Sequence, residues 1–83
     1  MNRILLERQA EKDLDALDLS LKKRIVGRVL LLAKNPRPHG SKKLTGSASA
    51  WRIRIGDWRV IYEIDDRLRE VKIYRIKHRS KAY

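Results

Sequence analysis

Arg52, Arg54 and Arg59 lie in the stretch WRIRIGDWRVIY, Trp51 to Tyr62, at a spacing that lets them act together. A guanidinium is planar and permanently charged, and its N–H donors form a fork that matches the oxygens of a phosphate or carboxylate. Residues 51–55 alternate large apolar residues with arginine, and residues 58–64 are rich in aromatic and β-branched side chains. Both patterns predict strands. Gly56-Asp57 supplies a Gly-first, two-residue hairpin turn. That turn sets Ile55 opposite Trp58, Arg54 opposite Arg59, Ile53 opposite Val60 and Arg52 opposite Ile61. Ile53, Ile55, Trp58, Val60 and Tyr62 then share one face, and the three arginines share the other. Like charges directly opposite each other destabilise a sheet by a few tenths to about 1 kcal/mol. Such a face is either solvated, with water and salt screening it, or completed by a polyanion.

The rest of the chain must position that face. It has 83 residues, enough for one domain (1–83) with one modest core. Arg3 to Leu6 reads as a first strand. Ala10, Leu14 and Leu17, at i, i+4 and i+7, predict a helix over Glu7 to Leu17. Asp18 or Ser20 can cap the next helix. Leu21, Ile25, Val29 and Leu32, with Val26, Leu30 and Ala33, form its broad apolar face, and Pro36 and Pro38 end it. Residues 37–50 read as an irregular basic loop anchored by Leu44. The hairpin follows, then a turn at 65–67, a strand from Glu70 to Ile76, and a basic tail from His78. The order β-α-α-β-β-β predicts an α+β fold, with two N-terminal helices on one face of a small, mostly antiparallel sheet and the other face open.

Charge agrees with an open cationic face. Lys and Arg total 21 against 10 Asp and Glu, a formal net charge of +11. That balance favours nucleic acid, an anionic surface or an acidic protein as partner. Five of the acids (Glu7, Glu11, Asp13, Asp15, Asp18) lie near the N-terminus, and none falls between Leu19 and Gly56. There is no cysteine, hence no disulfide or thiolate chemistry, which suits a reducing cytoplasm. The longest apolar run, Val29 to Ala33, is too short to span a membrane, and the N-terminus is charged too early for a secretory signal. The expectation is a cytoplasmic protein without a membrane segment. The acids and the two isolated histidines do not form a metal-ligand pattern, so neither metal nor cofactor is expected.

The run Lys43-Leu44-x-Gly46, then Trp51-Arg52-x-Arg54-x-Gly56-Asp57-Trp58-Arg59-x-x-Tyr62, then His78-Arg79 and a closing Tyr83, resembles the RelE/ParE toxin superfamily, and the order of elements matches it as well. In the RelE branch the resemblance implies a toxin of a type II toxin–antitoxin pair that cuts messenger RNA in the ribosomal decoding site. In the ParE branch the same scaffold inhibits DNA gyrase without cutting nucleic acid. A third reading is a weakened relic that binds antitoxin or RNA. Fold alone does not choose among them.

Metal-independent RNA cleavage needs a base for the 2′-hydroxyl, cations for the charge developing on phosphorus, and an acid for the leaving 5′-oxygen. The resemblance places a functional arginine at Arg59, as transition-state stabiliser. Arg52 and Arg54 fall where RelE members carry lysines; an arginine there can neutralise phosphate but cannot act as the base. Arg54 joins Arg59 at the catalytic centre, while Arg52, Arg79, Lys42 and Lys43 bind RNA phosphate. His78, whose side-chain type titrates near pH 6.5, is either the acid or base or a solvated surface residue. Tyr83 matches a C-terminal tyrosine that stacks on a base or handles a proton. Trp51 and Trp58, by register, lean toward the core. The implied partners are a small acidic antitoxin, bound in a hetero-oligomer, and the ribosome with its messenger RNA.

Overall fold

The computed structural model describes residues 1–47 and 49–81. Its elements run β1 (Arg3–Leu6), α1 (Arg8–Asp15), α2 (Leu19–Leu31), β2 (Lys42–Lys43), β3 (Ala50–Ile55), β4 (Trp58–Asp65), β5 (Glu70–His78) and a 3-10 turn, Arg79–Lys81. The strands form one sheet in the order β1-β5-β4-β3-β2. β1 pairs parallel with β5, and every other pairing is antiparallel. The expected α+β architecture is present, with one strand more than expected.

Alternation builds the core. Ile53 and Ile55 of β3, Val60, Tyr62 and Ile64 of β4, and Val71, Ile73 and Ile76 of β5 point to one side. Ala10 and Leu14 of α1 and Ile25 and Val29 of α2, with Leu32 just beyond it, close over them. Trp51 and Trp58 pack at the rim of this cluster, as their register requires. The Asp18 carboxylate caps α2 by accepting the Leu21 N–H at 2.9 Å.

Four details depart from the sequence reading. α1 is shorter, Arg8–Asp15, and α2 ends at Leu31, ahead of both prolines. The basic loop holds β2, whose pairing Lys42↔Arg52 and Lys43↔Trp51 is imposed by β3, because two lysines have little strand propensity of their own. Leu30 is 58 % exposed: the sheet covers only the narrower face bearing Ile25 and Val29. β5 extends to His78 and carries a bulge, since Ile61 faces Arg75 and Tyr62 faces Ile73, leaving Tyr74 unmatched.

The bulge reverses the parity of β5. Before it the odd residues Val71 and Ile73 face the core; after it Ile76 does, and His78 with it, opposite Trp58. β1 ends its pairing at Ile73, so the outer edge of β5 is open beyond that point. Asp13 of α1 occupies that edge. Its carboxylate accepts the Ile76 N–H at 2.8 Å and the Arg75 Nε–H at 2.9 Å, satisfying a main-chain donor as a neighbouring strand would.

Candidate nucleic-acid interface

The hairpin has the register its sequence implies. Arg52 lies opposite Ile61, Arg54 opposite Arg59, Ile53 opposite Val60 and Ile55 opposite Trp58. Gly56 adopts φ +60°, which a tight turn requires and other L-residues resist. A Cβ there would also come within 3.3 Å of the Arg24 guanidinium, which reaches the turn from α2. All three arginines therefore project from the side of the sheet away from the helices.

Lys42, Lys43, Leu44, Thr45, Arg52, Arg59 and Ile61 line an open basin of about 500 Å³ on that side. Four of these residues are cationic, three of them candidates for phosphate binding and Arg59 the candidate catalytic cation. Arg59 is half-buried, and its Nε and Nη1 are shut off from solvent without a hydrogen-bond acceptor. Leaving a buried donor unmet costs about 1–3 kcal/mol, more when the group is charged. An anion entering the basin would neutralise the charge facing Arg54, and would reach those two donors once the side chain turned to expose them. Register also sets Lys77 opposite Arg59, so Arg54, Arg59 and Lys77 form a cationic row across three strands.

The other candidates are arranged differently. Arg54 is exposed, and its Nε donates to the Gly56 carbonyl at 3.1 Å, which holds it back along the turn. Arg79 is docked on the same turn: its backbone N–H donates to the Asp57 carbonyl at 2.7 Å, and its guanidinium lies 3.9 Å from the Asp57 carboxylate. His78 is on the opposite face of the sheet. Its ring meets Trp58 edge-on at 5.4 Å, and its Nδ1 accepts the Ser80 N–H at 3.3 Å and lies 2.9 Å from the Ser80 Oγ. The structure does not bring His78 to the arginines. Tyr83 lies outside the described residues.

The sequence reading ended the strand at Ile76 and so gave neither Lys77 nor His78 a face of the sheet, and the bulge decides which face each takes. In Val71-Lys72-Ile73-Tyr74-Arg75-Ile76 the apolar spacing changes from two to three, and that step is the mark of the bulge. Glu63 shares the arginine side and stands opposite Lys72. Burial, and then the charge of Glu63, raise the pKa of Tyr74. On the core side, burial pushes Tyr62 up to about 12, and its hydroxyl donates to the Pro36 carbonyl at 2.7 Å. Burial also acts to raise Asp13, but hydrogen bonds from Arg75, Ile76 and Gln9 outweigh it and leave that carboxyl below its usual value. Among the described residues no three His, Asp or Glu side chains converge as a metal site would need.

Solved structures share this fold. The chain is 29 % identical to a protein in the archaeal RelE–RelB complex from Pyrococcus horikoshii, with a TM-score of 0.84 and coverage of 98 % of both chains. It is 28 % identical to a chain of the RelBE2 toxin–antitoxin complex from Mycobacterium tuberculosis, with a TM-score of 0.83 over 94 % of this chain and 98 % of that one. The isolated E. coli RelE toxin shares the fold at 16 % identity, with a TM-score of 0.82 over 94 % of this chain and 84 % of that one. Comparison with curated proteins gives no significant sequence match. The layered fold with its cationic open face thus defines a small toxin of the type II toxin–antitoxin class. The sequence profile of the ParE toxin of type II toxin–antitoxin systems matches residues 4–83, and the chain belongs to the RelE/ParE toxin superfamily.

Proposed function

We propose that this toxin is a messenger RNA endonuclease that acts on the ribosome, held in check by a RelB-like acidic antitoxin. The observation that carries the reading is Arg59, a half-buried guanidinium with two unmet donors in a basin lined by three further cations. In the reaction the substrate's 2′-oxygen attacks phosphorus, the bond to the 5′-oxygen breaks, and a 2′,3′-cyclic phosphate and a 5′-hydroxyl result. Arg59 and Arg52 neutralise the non-bridging oxygens as charge builds on them, and Lys42 and Lys43 hold the flanking backbone. Arg54 and Arg79, both tied to the 56–57 turn, extend the cationic track at the hairpin tip.

This basin is well supplied for binding phosphate and poorly supplied for moving protons, since His78 is on the far face. Of the two proton-transfer candidates from the sequence, Tyr83 remains. A centre of this kind gains most from RNA already held with the 2′-hydroxyl in line, which an ordered decoding site can provide. The cytoplasm, where ribosomes and antitoxin are, is the matching location.

The placement of His78 is also the observation that favours a second reading, a non-nucleolytic gyrase inhibitor of the ParE type. One experiment separates the two: add the purified toxin to a translating extract and map messenger RNA ends, with a gyrase supercoiling assay in parallel. New 5′-hydroxyl ends within ribosome-bound codons support the nuclease. Intact messenger RNA with blocked supercoiling overturns it in favour of the second reading.

A further inference from the structure

Three guanidinium groups meet at the tip of the β3–β4 hairpin, each from a different part of the chain. Arg24 comes from α2, with its two Nη atoms 3.3 and 3.6 Å from where a Gly56 Cβ would stand. Arg54 comes from β3 and donates its Nε–H to the Gly56 carbonyl at 3.1 Å. Arg79 follows β5; its backbone N–H is bonded to the Asp57 carbonyl at 2.7 Å and its guanidinium lies 3.9 Å from the Asp57 carboxylate. None of the three lines the arginine basin.

The charges at this tip do not balance. Asp57 is the one acid in the turn, and neither Arg24 nor Arg54 has an ion-pair partner among the described residues. All three contacts fall on two adjacent residues, well inside the screening length of about 8 Å at physiological ionic strength. The Arg79–Asp57 pair offsets little of the repulsion, because its side chains are 60 % and 63 % exposed and such pairs contribute little.

Geometry selects the ligand. Guanidinium forks that approach from a helix, a strand and a tail suit an anion with several oxygens facing different ways, as a phosphate has. Arg54 stands opposite Arg59, and Gly56 is two residues further along. That separation is about 7 Å at strand rise, a length that one nucleotide of extended RNA spans.

We propose that the Gly56-Asp57 tip is a second phosphate site, distinct from the basin, where Arg24, Arg54 and Arg79 hold the RNA backbone one nucleotide from the phosphate at Arg59. Asp57 occupies Arg79 when no RNA is bound and gives way to the phosphate. The site carries the RNA track over the end of the hairpin to the helix side, so that α2 takes part in binding. The proposal rests on the RNA-binding reading above.

Fluorescence anisotropy with a 2′-O-methyl RNA oligonucleotide reads binding without cleavage, because a blocked 2′-oxygen cannot attack. Arg24→Gln should weaken binding by the purified toxin about fivefold. It should also flatten the dependence of log affinity on log salt by about 0.7, the step for one phosphate contact on a single strand. Arg28→Gln removes the same charge one turn along the same exposed helix side, and should move both quantities less than half as far. Asp57→Asn removes the competing carboxylate and should tighten binding about threefold. Melting temperatures of all three variants should stay near that of the wild type, which separates lost contact from lost fold. Equal losses in Arg24→Gln and Arg28→Gln overturn the tip site and leave the RNA-binding reading standing. So does unchanged affinity in both Arg24→Gln and Asp57→Asn. A wild-type toxin that does not bind the oligonucleotide at low salt overturns the site and that reading together.

Discussion

The two faces of the sheet use the same strands for opposite purposes. On the helix side, among the described residues, no buried side-chain polar atom lacks a partner: the Tyr62 hydroxyl finds Pro36 and the Asp13 carboxylate finds Ile76 and Arg75, while His78 at the rim finds Ser80. On the open side Arg59 holds two buried donors without an acceptor and faces Arg54 across the strands. One face is completed by its own chain; the other is not. In the proposed reading stability is stored on the first and function on the second, so substitutions on the two faces should give different phenotypes.

The largest effect is expected at Arg59. Arg59→Ala should lower growth arrest and messenger RNA cleavage at least a hundredfold, with Arg54→Ala weaker in the same direction. Both should leave the fold as stable or more stable, by up to about 1 kcal/mol, because a like-charge pair is relieved. Denaturant unfolding of the inactive variants checks this; an Arg59→Ala protein that still arrests growth at matched expression removes Arg59 from the centre.

Asp13→Asn should give the opposite phenotype, costing about 2 kcal/mol of stability through weakened charge-assisted hydrogen bonds, with activity per folded molecule retained. Its pH dependence fixes the sign. The Asp13 pKa is lowered in the fold, so its contribution is complete above an unfolded value of about 3.9 and is lost as pH falls through the lower folded value. Acid unfolding curves should show that the asparagine variant has lost this component.

Tyr62→Phe removes the hydroxyl that holds the Pro36 carbonyl and should cost about 1 kcal/mol. Because burial raises the Tyr62 pKa to about 12, its contribution is present below an unfolded value of about 10 and declines as pH rises toward 12. A wild-type protein that loses no more stability than Tyr62→Phe between pH 9 and 11 would contradict that burial. The smallest effect is expected at His78. With its ring on the helix side, His78→Ala should reduce cleavage about threefold or less and leave the pH–rate profile unbent near the imidazole pKa. Since general acid–base groups contribute about 10²–10⁴-fold, a larger loss with a changed profile would place His78 in the reaction.

Much of this contrast was legible in the sequence. The hairpin register follows from alternation and from Gly56-Asp57, because a period of two and a tight turn together leave one pairing. The rest depended on distant contacts. β2 exists because β3 offers an edge, not because Lys42 and Lys43 prefer strand. Leu30 matches the helical period yet stays outside, because periodicity marks a helix's apolar side without saying how much of it a sheet will cover. His78 was left in a basic tail because the sequence reading ended the strand at Ile76; the strand runs on to His78, and the face it takes there depends on a single unmatched residue, Tyr74.

That residue also bears on how such a scaffold changes over generations. Deleting the one codon for Tyr74 would remove the bulge and leave Ile76 and His78 facing as they do, because each residue beyond it already has its own partner on β4. The strand can therefore lose its unmatched residue without moving the imidazole or any arginine. Length at this point is free to drift between generations, while the facing of every functional side chain is held by the pairing on either side.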